Sequence, residues 1–130
     1  MKKSDFVLFV ILGAIFWLSA ALIIRFSGDT VFSENNPMLL LFYVLAIPLT
    51  FVFMFVTKWI SKYELVNLLR PAVIMVFTAT FLDAIALTWF RNLYSPSFEV
   101  ALLGAAWILW GVGLGLLMAY YFDQKKLRKG

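Results

Sequence analysis

The 130-residue chain has no histidine and no cysteine. It therefore lacks imidazole general bases, thiolate nucleophiles, the usual zinc and haem ligands, and any disulfide. No cofactor or metal is expected, and cysteine usage carries no information on redox compartment. Charge is also scarce: charged residues make up 14% of the chain against 64% hydrophobic, a balance foreign to soluble globular proteins.

What the chain has instead is long apolar runs. A bilayer core about 30 Å thick takes about 20 apolar residues per helix. Four runs meet that need: Phe6 to Ile24, Met38 to Val56, Pro71 to Phe90 and Val100 to Phe122. They take up most of residues 1–130, leaving room for a single domain. Backbone groups in hydrocarbon must be satisfied within the protein, and runs this long without two-residue alternation are helices, not barrel strands. The expected fold is an all-α integral membrane protein, a four-transmembrane-helix bundle.

The N-terminal Lys2 and Lys3 precede an apolar run in the manner of a signal peptide, and Ser19, Ala20 and Ala21 resemble a weak cleavage site. The run continues through Leu22, Ile23 and Ile24, which favours an uncleaved first span. Asn36-Pro37 reads as a helix cap followed by proline at the first helical position. Pro48, midway along the second run, should free the Val44 carbonyl and kink the helix. Between the second and third runs, Trp59, Tyr63, Val66 and Leu69 recur at helical spacing. That stretch is either a short interfacial helix or a plain connector with aromatic belt residues. Ser95-Pro96 reads as a second cap-plus-proline start, with Glu99 in the first turn where the helix dipole favours an acid.

Gly111, Gly115 and Ala119 follow at four-residue spacing, the small-residue pattern that lets helix backbones approach. This face packs either against a partner or second copy, or within the chain itself. Gly111, Gly113 and Gly115 do not make a nucleotide loop, because no strand-turn-helix surrounds them.

Lys2, Lys3, Lys58, Lys62, Arg70, Lys125, Lys126, Arg128 and Lys129 fall on one side of a four-span topology, and only Arg25 and Arg91 on the other. The positive-inside rule then places both termini in the cytoplasm, in the inner or plasma membrane of a cell of bacterial type. The partners expected are the lipid bilayer, with anionic headgroups at the basic tail, and a membrane protein or a second copy. Nucleic acid is not expected.

One acid lies inside the runs. Asp83 is seven residues inside Phe90, roughly 10 Å below the edge of its span at the helical rise. Trp17 and Trp107 fall at similar depths by the same count, with Tyr43 somewhat shallower. An acid facing lipid costs about 2.5 to 3.5 kcal/mol on insertion scales, so Asp83 should face the bundle. The Trp17 and Trp107 indoles each need an acceptor, and Asp83 is the obvious one. Thr80 and Ser19 offer hydroxyls nearby, and Arg25 is the favoured cation. This polar layer is either a pocket for a cation or proton-coupled solute, lined by Asp83, Trp17, Tyr43 and Trp107, or a structural network that fixes helix register.

The size alone resembles that of the small multidrug resistance exporters, which carry a glutamate in their first helix; the first run here has no acid. The patterns Trp17 to Arg25 and Gly28, Phe81-Leu82-Asp83-Ala84, and Trp107 through Trp110-Gly111 resemble those of a group of small four-span bacterial proteins without assigned function. That resemblance implies a four-helix membrane fold and transfers no activity. The favoured role is an accessory or interaction protein with a buried polar layer. The alternative is a small transporter using Asp83. An enzyme is not expected, since Asp83 has no second acid in the runs.

Overall fold

The computed structural model describes residues 2–33 and 35–129, with the side chains of Asp29 and residues 126–129 outside the description. It is all-helical: α1 (Lys3–Ser27), α2 (Pro37–Ser61), α3 (Leu69–Trp89) and α4 (Phe98–Lys129), joined by short connections that each contain one 3₁₀ turn. All four are long and apolar enough to cross a membrane.

The start of α2 follows the sequence signal. Asn36 accepts a hydrogen bond from the Met38 backbone N–H at 3.0 Å, and Pro37 opens the helix. The helix stays continuous through Pro48 and ends at Lys62, which adopts a left-handed φ of 66°. No interfacial helix forms between α2 and α3; the chain runs extended and makes one 3₁₀ turn at Leu65–Asn67. The plain connector is what the structure contains. The start of α4 is displaced from the expected Ser95-Pro96 cap to Phe98. There Ser97 takes the capping role, its Oγ accepting from the Val100 N–H at 3.4 Å. Ser95 is instead buried and its Oγ accepts from the Ser97 N–H at 3.1 Å.

Packing follows a ring in which α1 lies mostly on α3, α3 on α4, and α4 on α2, while the closing α1–α2 seam is the loosest and α2 makes little contact with α3. Among the glycines, the close approach to another helix's backbone is at Gly13 of α1. A Cβ there would stand 2.8 Å from the Met75 carbonyl oxygen of α3. Gly104 of α4 likewise leaves room for the Ile24 side chain, which a Cβ would meet at 2.6 Å.

Two clusters close the ends of the bundle. At the end carrying both the 28–36 and 90–97 connections, Phe32 and Tyr94 drop from those connections into the interior, both fully buried. Phe32 stacks edge-on against Phe42 and Trp107, with ring centroids 5.9 and 6.0 Å apart. At the end carrying the termini, Leu68, Met54, Ala72 and Ala119 form a second cluster. Beside it Tyr63 meets Phe9 edge-on at 5.2 Å and donates to Asp5 Oδ2 at 2.9 Å.

Candidate functional site

Asp83 of α3 is drawn to two donors that arrive from distant parts of the chain. The Trp17 indole N–H of α1 is shared between Asp83 Oδ1 at 2.8 Å and the Tyr94 hydroxyl oxygen at 3.0 Å. The Tyr94 hydroxyl in turn donates a hydrogen bond to the same Asp83 oxygen. Indole, phenol and carboxylate thus form a closed triangle. Among the described residues, these are the hydrogen bonds made to Asp83.

Tyr94 reaches this place because the connection folds back on itself. The 3₁₀ turn at Arg91–Leu93 continues with Tyr94 N–H to Arg91 O at 3.0 Å and Ser95 N–H to Arg91 O at 3.3 Å. The Arg25 guanidinium fastens the same connection by donating to the Asn92 carbonyl. Arg91 lies over the Phe98 ring, 5.0 Å from its centroid. Burial pushes the Tyr94 phenol above the ordinary tyrosine range, and its bond to Asp83 and the charge of that carboxylate push it further in the same direction.

The remaining residues of the expected layer do not converge on Asp83. Arg25 is turned to the Asn92 carbonyl, and the partners Asp83 has in its place are Tyr94 and Trp17. Trp107 faces α2, its N–H donating to the Phe42 carbonyl at 3.0 Å. Tyr43 meets α4 through Trp110, with ring centroids 5.6 Å apart, and its carbonyl accepts the Trp110 N–H at 2.9 Å. These two indoles bond α2 at Phe42 and Tyr43, about one and a half turns before Pro48 and next to the Val44 carbonyl that Pro48 cannot serve. Thr80 is exposed and donates to the Val76 carbonyl at 2.7 Å, and Ser19 donates to the Ile15 carbonyl at 2.9 Å. Such back-bonds satisfy a hydroxyl on its own helix, away from neighbours.

The cavity of the bundle lies elsewhere. It occupies about 150 Å³ between the four helices, and Trp17 and Trp107 line it while Asp83 and Tyr43 do not. Its walls are apolar apart from Thr50 and Thr57, whose hydroxyls donate to the Ala46 and Phe53 carbonyls at 2.7 and 2.8 Å. Gly111 and Gly115 face this space: a Cβ at Gly111 would meet nothing within 4 Å, and one at Gly115 would touch Thr50 Cγ2 at 3.8 Å. Ala119 is fully buried. The small-residue face of α4 is therefore turned into the chain's own bundle, and the close backbone approach is made by Gly13.

Sequence reasoning missed Tyr94. The signal available was an amphipathic ring in a nine-residue loop that begins eight residues after an intramembrane acid.

The length and apolar composition of the four helices suggest a small multi-pass membrane protein. The profile of a family of unknown function (DUF5367) matches residues 31–126, and the chain belongs to that family. The match takes in Asp83 and Tyr94 and leaves α1, with Trp17, outside it. No curated protein and no solved structure matches the chain.

Proposed function

We propose that the protein is a non-catalytic accessory protein of a bacterial-type plasma membrane, acting through contacts with another membrane protein or a second copy of itself. In this reading the Asp83 triangle is a structural latch. The observation that carries it is the shared acceptor: one Asp83 oxygen takes both Trp17 and Tyr94, joining α1, α3 and the 90–97 connection. The absence of histidine and cysteine from the sequence and the lack of a second acid in the apolar runs support a role without catalysis.

The excess of lysine and arginine at the end carrying the termini supports a cytoplasmic location for both of them. Lys125 lies over the Tyr121 ring at 4.9 Å, near the headgroup level where a basic tail would meet anionic lipid. The side chains of Lys126, Arg128 and Lys129 lie outside the described residues. Reporter fusions at each terminus and at residues 30 and 95 test the orientation; activity of a periplasmic reporter at either terminus would reverse it.

A second reading, a transporter for a cationic or proton-coupled solute, draws support from Asp83 being the one acid within the apolar runs. Infrared difference spectra of wild type against Asp83→Asn, with organic cations titrated in, separate the two. The latch reading expects a carboxyl band indifferent to cations and a clear loss of thermal stability in the variant. A wild-type carboxyl band that moves on adding a cation, together with an Asp83→Asn variant that stays folded, would replace the latch with the transporter.

A further inference from the structure

The central cavity is half-open, capped by packed side chains at both ends of the bundle and least well walled at its side. Phe32 and Tyr94, fully buried, seal the end carrying the 28–36 and 90–97 connections, and Leu68, Met54 and Ala119 seal the other. Along the sides, three of the four adjacent helix pairs pack closely and the α1–α2 seam does not. What closes that seam is one pair of rings: Phe16 of α1 and Phe53 of α2 stack with centroids 4.5 Å apart and planes 11° from parallel. Both rings also line the cavity, and both are partly exposed.

The cavity lies near the middle of α1, α2 and α4, at Gly13, Thr50 and Gly111, and along the first half of α3, from Ala72 to Ala79. Nothing in its lining asks for water. The two threonine hydroxyls are spent on their own helices, the Trp17 N–H points to Asp83 and the Trp107 N–H to Phe42. An apolar cavity of about 150 Å³ stays dry and takes up small apolar guests. At the middle of a bilayer the apolar molecule present at high concentration beside the seam is the end of a lipid tail.

We propose that this cavity is a binding site for the acyl-chain end of a membrane phospholipid, admitted from the bilayer between α1 and α2 past the stacked Phe16 and Phe53 rings. The glycines of α4 keep the volume open, since a side chain at residue 111 would project into it without meeting a neighbour. The site does not depend on the role given to Asp83.

The test uses the full chain in nanodiscs made with a phospholipid carrying a diazirine near the end of one acyl chain, followed by photolysis and mapping of adducts by mass spectrometry. Wild type is expected to carry adducts on cavity residues such as Thr50, Ala79 and Val112, besides those on lipid-facing Phe81 and Leu109. Gly111→Leu should lose the cavity adducts and keep the surface ones, with its fold checked by thermal melting. Gly111→Ala, which alters the fold least, should reduce them. Phe53→Ala should increase them. Wild-type adducts confined to Phe81, Leu109 and other surface positions would overturn the site, as would cavity adducts unchanged in both Gly111 variants. No increase in Phe53→Ala would overturn the route between α1 and α2.

Discussion

Gly13 of α1 lies against the backbone of Met75 in α3, so close that a Cβ at residue 13 would also come within 2.9 Å of the Met75 Cα. Backbone cannot yield as a side chain can, so the helices themselves would have to part. Gly13→Ala is expected to destabilise the bundle by about 1–3 kcal/mol, the usual cost of overpacking a well-packed contact. Gly111→Ala should do the opposite, because it removes a helix-interior glycine where there is space. Thermal melts of the two variants in one detergent check the contrast; equal effects would mean that the α1–α3 approach is looser than described.

The Asp83 triangle predicts coupling between residues on different elements. Tyr94→Phe and Trp17→Phe each remove one donor from a partly buried carboxylate, and each should cost about 1–3 kcal/mol. Since both act on the same oxygen, their effects should not add, with an interaction energy of about 0.5–3 kcal/mol in a double-mutant cycle. Strict additivity would show that the two donors serve Asp83 independently.

Tyr94 and Tyr63 should ionise above the ordinary phenol range. For Tyr63 the main cause is its hydrogen bond to Asp5, helped by burial and by the Asp5 charge; for Tyr94 it is burial. Each folded value lies above the unfolded one, so the folded state favours the protonated phenol. The stability this contributes is fully present below the unfolded tyrosine value and is lost as pH rises from there through the folded values. Ultraviolet titration of tyrosinate in wild type, Tyr63→Phe and Tyr94→Phe, paired with melting temperature against pH, reads both effects. A late ionisation unaltered in both variants would remove the assignment.

The two indoles that bond α2 should differ in weight. Trp107 is 4% exposed and packs against Phe32 and Phe42, whereas Trp110 is 43% exposed. Losing either hydrogen bond costs about 1 kcal/mol, but only Trp107→Phe also disturbs buried packing. Chemical denaturation of the two variants should therefore rank Trp107→Phe as the more damaging.

The helices were legible because long apolar runs leave the backbone in lipid no other solution. The pairing of Trp17 with Asp83 was legible too, since depth along a helix can be counted at a fixed rise. Direction around the helix cannot be counted before the neighbours are known, and there the reading of Trp107, Thr80 and Arg25 parted from the structure. Trp107 has the wrong azimuth: it faces α2. Tyr94 escaped the count because a loop residue has no depth until the loop folds back. The same fold-back explains why α4 starts at Phe98, because the chain that buries Tyr94 also buries Ser95.

The long separation within the Asp83 triangle bears on how the protein is made. Trp17 finds one partner 66 residues later in the chain and the other 77 residues later. During synthesis α1 enters the membrane with its indole N–H lacking both, and a chain halted after α2 has neither to give it. The latch closes only once α3 and the connection after it have emerged, which makes it a mark of completed assembly. A chain that ends before Tyr94 leaves the triangle open, and one that has passed it can close it.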